Sequence, residues 1–315
     1  MISDVPSEAD FTETGLSLLG FAWDRATELL ADLENARAEG VDDPDATAAF
    51  WQAARQTLLV STTVAQQAVE FILKGKIAAV SPFLLIAGLP REWPRAAEVG
   101  VPFAEFRTID AQDLVRVHDT AAAVPLSEEF VAKFEKLRRK RNSIVHTIDR
   151  RMEARAADVL RDILLVYRQL FPNGDWVALR RQYLERSPIA ELHSTDFVEQ
   201  ELVREIELVM GILTNREKQE YLGLHPRQRK YICPVCADAS DFMELLPMTA
   251  VLRPNVADST HVFCFVCGQS TEVVRDTCRQ DDCQGNVISQ DFGQCLTCGL
   301  HGSSEQALPS DSGSR

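Results

Sequence analysis

Cysteine is absent from this 315-residue chain until Cys233, and all eight cysteines fall between Cys233 and Cys298. The first two-thirds therefore cannot be a disulfide scaffold and must rest on a hydrophobic core. No apolar run reaches the roughly 20 residues that cross a bilayer. The longest, "IAAVSPFLLIAGLP" from Ile77 to Pro90, is broken by Pro82. The opening "MISDVPSEAD" is acidic and has no apolar stretch of the kind a secretory signal needs, so a cytoplasmic protein without a membrane segment is expected. Positive charge is also scarce. With 33 Lys and Arg against 47 Asp and Glu the formal charge is −14, which argues against a whole-molecule grip on nucleic acid. Missing too are a phosphate-binding glycine loop, an H-E-x-x-H pair and a Ser-His-Asp signature.

What is present is an ordinary globular composition, 45% hydrophobic and 25% charged, long enough for one sizeable domain and a smaller module. Helical periodicity dominates the first two-thirds. Leu16, Leu19, Trp23, Ala26 and Leu30 mark a helix over 15–33, and Trp51, Leu58, Ala65, Val69 and Ile72 mark another over 47–76. Pro82, Pro90 and Pro94 then predict irregular chain or short helices. Further helices are expected over 152–171 and 196–213. The fold class read from this is mainly α: a helical bundle over 1–190, a helical connector over 191–227, a small β-rich cysteine module over 228–300 and a disordered polar tail over 301–315.

The cysteines form two quartets. Cys233-Pro-Val-Cys236 is completed further along the chain by Cys264-Phe-Val-Cys267, and Cys278-x4-Cys283 by Cys295-Leu-Thr-Cys298. A C-x-x-C turn brings two thiolates to one metal, and two such turns close a tetrahedral S4 site of the kind structural zinc favours. Gly268 and Gly299, just after the second knuckles, help the backbone turn toward the sulfurs. "YICPVC" and "FCFVCG" resemble the knuckles of a zinc ribbon, and the resemblance covers residues 231–300. Two structural zinc ions with sequential pairing are expected; disulfides or a redox dithiol are the alternatives, and a cross-brace is the rival connectivity. A closed S4 site has no open position for catalysis. Residues 228–315 hold six Lys or Arg against eleven Asp or Glu, which disfavours a nonspecific phosphate grip and leaves a protein-contact or activator-binding surface open. His261 and His301 are spare ligands that full cysteine usage does not need. His193 and His225 read as loop residues and His118 as a surface residue.

The stretch "KLRRKRNSIVHTIDRR", 136–151, carries a second signal. Ser127 is a good N-cap, with Glu128 and Glu129 at the positive end of the helix dipole and Leu126 and Val131 spaced as a hydrophobic staple. Phe130, Phe134, Leu137, Ile144 and Ile148 trace the apolar stripe. Arg141 falls near that stripe, where a core residue is expected. A buried guanidinium needs a partner, and an intrahelical or interhelical pair, for instance with Glu135 or Asp149, is one explanation. The basic run can thus be a solvated, paired face.

"LRRKRNSIVHT" also matches the R-x4-6-H signature of the HEPN family through Arg141, Asn142 and His146. "AQQAVEFILKGKIAAV" resembles that family's long helix ahead of the motif, and the resemblance covers about residues 14–190. It implies a helical bundle that forms a homodimer, with two motif copies facing a cleft, and a metal-independent endoribonuclease of the toxin or antiviral-effector kind. By the same resemblance Arg141 stabilises the phosphate, His146 transfers protons and Asn142 orients the scissile group, leaving 2′,3′-cyclic phosphate and 5′-OH ends. Arg138, Arg139, Lys140 and Arg150 are the candidate contacts to the RNA backbone. The alternatives are a non-catalytic helical scaffold with zinc ribbons as a binding module, and a zinc-ribbon regulator that the helical part only assembles.

Overall fold

Helix α1 (Glu8–Ala38) begins with a reciprocal cap: the Ser7 hydroxyl accepts from the Asp10 amide at 3.3 Å, and the Asp10 carboxylate accepts from the Ser7 amide at 2.7 Å. The Ser7 hydroxyl and the Ser7 amide, each donating to the Asp10 carboxylate at 2.7 Å, hold that carboxyl below its ordinary range. Helix α2 (Pro44–Val80) starts at Asp43, whose side chain accepts from the Asp45 amide, with Pro44 placed where a missing N–H costs nothing. It ends at Ser81, before Pro82. Both helices run beyond the spans expected from periodicity, because their caps lie outside the apolar stripe.

In the computed structural model, residues 1–94, 100–146, 152–193, 196–239 and 246–301 are described. After α2 come short 3-10 turns at Pro82–Leu85 and Pro90–Glu92, as the prolines predict. Helices α3 (Ala111–Ala121), α4 (Glu128–His146), α5 (Ala156–Leu170), α6 (Trp176–Glu185), α7 (Phe197–Ile212), α8 (Asn215–Leu222) and the short α9 (Pro234–Ala239) follow. Strands β1 (Ile2–Ser3) and β2 (Val101–Pro102) form a small parallel pair. Strands β3 (Lys230–Tyr231), β4 (Ala250–Leu252), β5 (His261–Cys264), β6 (Ser270–Val274) and β7 (Ile288–Ser289) form an antiparallel sheet in sequence order. The fold is mainly α with a β-rich cysteine module, as expected. Among the described residues no helix is long and apolar enough to cross a membrane.

The chain divides into two compact units: Met1–Trp176 with Leu208–Leu213, and Val177–Glu207 with Thr214–Arg315. This division runs through α6 and α7, not at the expected borders of 190 and 228. Most of the expected connector therefore belongs to the second unit. The expected disordered tail, apart from His301, lies outside the described residues.

In the first unit α1 and α2 form an antiparallel hairpin against which α5 packs; α3 and α4 pack on α2. Trp23 is fully buried, its ring 4.8 Å from that of Trp176, which also meets Tyr167 edge-on. Burial pushes the Tyr167 hydroxyl up to about 12. Helix α5 starts at Ala156, later than the expected 152, because the Arg55 guanidinium takes the Met152 carbonyl at 2.9 Å and holds the approach out of the helix. His118 corrects another expectation. Helix α3 turns Leu114 and His118, four residues apart, into the core, leaving His118 only 6% exposed. Its Nδ1 lies 2.9 Å from the Asp119 carboxylate, which also accepts from the Leu126 amide.

In the second unit the helical part buries an ion pair beside apolar residues such as Leu202 and Ile206. Arg180, fully buried, donates twice to Glu205 at 2.6 and 3.1 Å and stacks over Tyr183. Arg181 pairs with Glu199 and also donates to the Val266 carbonyl, and the Gln200 amide donates to the Ala239 carbonyl at 2.9 Å. These bonds tie residues of α6 and α7 to the backbone of the cysteine module.

The hairpin of the first unit depends on close backbone approach. A Cβ at Gly15 would lie 2.6 Å from Ile72 Cγ1 and 2.8 Å from the Ala68 carbonyl oxygen; one at Gly75 would lie 2.6 Å from Thr12 Oγ1. Gly15→Ala gains about 1 kcal/mol of helix propensity, but the collision with a backbone carbonyl forces the helices apart. We expect a net loss of about 1–3 kcal/mol, measured as a fall of several degrees in the thermal midpoint; an unchanged midpoint would refute the close crossing.

Candidate functional site

Both cysteine quartets close. The sulfurs of Cys233, Cys236, Cys264 and Cys267 lie within 4.8 Å of one another, as do those of Cys278, Cys283, Cys295 and Cys298. Pairing is thus sequential, and the cross-brace is excluded. The strands explain why: the knuckles of the first site follow β3 and begin at the end of β5, whereas the second site takes Cys278 and Cys283 from between β6 and β7 and Cys295 and Cys298 from after β7. Sulfur separations of 3.7, 3.7, 3.8 and 3.9 Å are too long for disulfides. They match a tetrahedral S4 site, where metal–sulfur bonds of about 2.3 Å set sulfurs about 3.8 Å apart.

Backbone geometry supports the sulfurs. The Val266 and Cys267 amides both donate to Cys264 Sγ at 3.3 Å, and the Gly285 amide to Cys283 Sγ at 3.3 Å. Gly268 and Gly299 take positive φ, +72° and +78°, so the glycines after the knuckles make the expected left-handed turns. The thiols of Cys233, Cys236 and Cys267 hold Cys264 well below the ordinary cysteine range, while neighbouring sulfurs push Cys236 up. Metal binding requires all four thiols to be deprotonated and so releases their protons. The first site is more enclosed: three of its four cysteines are buried, against two in the second.

The motif helix α4 begins where expected, with the Ser127 hydroxyl accepting from the Phe130 amide at 3.1 Å. Phe130, Phe134 and Leu137 are buried, and Ile144 is half-buried; Ile148 lies outside the described residues. Glu135 does not serve Arg141. It pairs with Arg138 at 2.8 Å and, with help from Glu70, holds that guanidinium above its ordinary value. The other expected partner, Asp149, lies outside the described residues. Arg141 is half-buried and donates to the Asn142 carbonyl oxygen at 3.1 Å; among the described residues it makes no ion pair.

Arg138, Arg141 and Asn142 line a polar cavity of about 370 Å³, whose other walls are Glu70 and Lys74 of α2 and the chain from Thr108 into α3. Glu70 is held by the buried Gln66, whose amide donates to it at 2.5 Å. Lys74 donates to Thr108 Oγ1 at 3.1 Å, and Asp110 pairs with Arg107 at 2.8 Å. Arg141 and Asn142 thus share one cavity, while His146 is exposed at the C-terminal end of α4, one turn beyond Asn142 and not in the cavity wall.

The flanking basic residues split between faces. Arg139 is exposed; Lys140 is half-buried, and that burial lowers its pKa against the pull of Asp162 and Asp158 on α5. Lys133 pairs with Asp162 at 2.5 Å. Arg150 and Arg151 lie outside the described residues. Glu70, Lys74 and Thr108 carry no local sequence signal and are found only through packing. No protein-family model matches this chain, and no curated protein or solved structure is similar to it.

The second metal site has one intolerant backbone position. A Cβ on Gly285 would lie 2.7 Å from Cys295 Sγ and 2.8 Å from Thr297. Gly285→Ala is expected to retain one metal ion per chain where the parent holds two, read by elemental analysis of purified protein. Full occupancy of both sites in the variant would overturn this account of the second site.

Proposed function

We propose that the helical unit is a HEPN-like, metal-independent endoribonuclease, working as a homodimer in the cytoplasm, and that its cysteine module holds two structural zinc ions. The observation that carries the first part is Arg141: a half-buried guanidinium with no carboxylate partner among the described residues, beside Asn142 in a polar cavity. A half-buried cation without a counter-charge, on the wall of a polar cavity, is free to serve as an anion contact. His146 is exposed one turn beyond Asn142, on the face of α4 that Asn142 occupies.

In this reading Arg141 stabilises charge on the scissile phosphate, and Asn142, hydrogen-bonded to Arg141, orients the group under attack. His146 assists proton transfer between the ribose 2′-OH and the leaving 5′-oxygen. Such a reaction needs charge stabilisation and acid–base help but no metal. Arg139 supplies the exposed cation nearest the motif, and Arg138 lies at the cavity wall. A toxin or antiviral-effector role follows from the family resemblance alone. Zinc is the metal we assign, because all-thiolate ligation, sulfur spacing and the closed geometry are those of structural zinc. The cysteine module then offers a folded surface to an activator or protein partner.

The pairing of Lys133 with Asp162, and the setting of Lys140 beside the same carboxylate, favour a second reading. These cations serve the fold, so a narrower basic surface than the sequence suggests faces solvent, as in a scaffold that keeps the motif without chemistry.

The two readings part in one assay. Cleavage of end-labelled RNA in EDTA just sufficient to remove loosely bound metal should give 2′,3′-cyclic phosphate ends. His146→Ala should slow it by about 10²–10⁴-fold, and Arg141→Ala by about 10²–10³-fold. Equal cleavage by parent and His146→Ala would remove His146 from the chemistry, and no cleavage by any preparation would favour the scaffold.

A further inference from the structure

The wall of the cavity facing α4 holds more than the motif residues. Of the charged groups lining it, Arg138 is engaged by Glu135 and Asp110 by Arg107. That leaves Lys74 and Arg141 against the single carboxylate of Glu70, itself held by Gln66. Among the described residues neither Lys74 nor Arg141 makes an ion pair; Lys74 donates to the neutral Thr108 hydroxyl at 3.1 Å and lies 6.0 Å from the centre of the Phe71 ring, and Arg141 donates to the Asn142 side-chain oxygen. Both cations are half-buried. Two half-buried cations beside one carboxylate leave an excess of one positive charge, the complement of one phosphodiester. Because the Thr108 oxygen accepts from Lys74, its own O–H remains to donate to an anion.

We propose that Lys74 and Thr108, facing Arg141 across the cavity, form a phosphate-binding subsite that holds a backbone phosphate of the RNA strand and positions it for the motif. The proposal rests on the ribonuclease reading and adds two positioning residues from α2 and the segment before α3. Lys74 supplies a point charge and Thr108 an oriented hydroxyl, while Arg141 closes the site with a planar guanidinium. The ligand is recognised by its phosphate, not its base, so little dependence on base identity is expected at this subsite.

The test uses the full-length, metal-loaded protein and two probes: a fluorescently labelled 2′-O-methyl oligoribonucleotide, which cannot be cleaved, and inorganic phosphate as ligand and competitor. Lys74→Met should weaken oligonucleotide binding about tenfold and lower the slope of log affinity against log salt by about 0.7, the value for one phosphate contact on a single strand. Thr108→Val should weaken binding severalfold, and Lys74→Arg should restore most of the affinity and the slope. A structural role for Lys74 would not move the salt slope, and an unchanged thermal midpoint in Thr108→Val keeps the test valid if Lys74→Met folds poorly. Lys74-dependent binding of this probe, together with no cleavage of end-labelled 2′-hydroxyl RNA by the same preparation, would keep the subsite and sink the nuclease. Lys74-dependent binding of inorganic phosphate alone would keep a phosphate site but identify a free phosphate as its ligand. No binding of either probe, or equal affinity and slope in Lys74→Met and parent, would overturn the subsite.

Discussion

Two places where helix backbones come within side-chain distance of each other, at Gly15 and Gly75, set the hairpin on which the helical unit is built. At these points α1 lies against α2 with no room for a Cβ, and the apolar rows running between them, including Leu19, Trp23, Leu58, Val69 and Ile72, are buried as a result. Burial of apolar area supplies the stabilisation, but the glycines decide that this area closes. Helix α2 then serves as the common support. One side takes α1, others take α3, α4 and α5, and Gln66, Glu70 and Lys74, spaced four apart, run from the core into the polar cavity. The candidate site is thus a by-product of helix packing, with its carboxylate braced from inside the core.

The cysteine module solves a different problem. Its strands are two to five residues long, too short to bury much area, and metal ligation takes over the task that a core performs elsewhere. The two sites share one sheet but differ in setting. The first is more enclosed and sits next to the backbone bonds supplied by Arg181 and Gln200; the second is more open, and Gly285 lets its chain pass close to Cys295 and Thr297.

Much of this was legible from the chain alone, and the limits have physical causes. The quartets could be read because the two ligands of each knuckle are near neighbours in the chain, so spacing encodes geometry directly, and sequential pairing was already the expectation; the sulfur positions only removed the crossed rival. The Ser127 cap and the Phe130, Phe134, Leu137 stripe were legible because capping and helical periodicity are local. The partners of Arg141 and Lys140 were not, since a helix periodicity says which face a residue occupies and not what lies opposite. Glu70, Lys74 and Thr108 reach the cavity from a helix and a loop far from the motif in sequence, with no pattern that marks them. His118, read as a surface residue, misled for a related reason: Leu114 one turn earlier was the better guide to its burial.

The line between the two compact units crosses α6 and α7, ahead of the visible cysteine border. Arg180 and Glu205, buried together, and Arg181 and Gln200, bonded to the backbone at Val266 and Ala239, all lie upstream of residue 228. A gene exchange that cut at the first cysteine knuckle would carry off the metal ligands and leave their fastenings behind. Recombination that preserves the module has to break ahead of α6, so the inheritable unit is larger than the cysteines mark out.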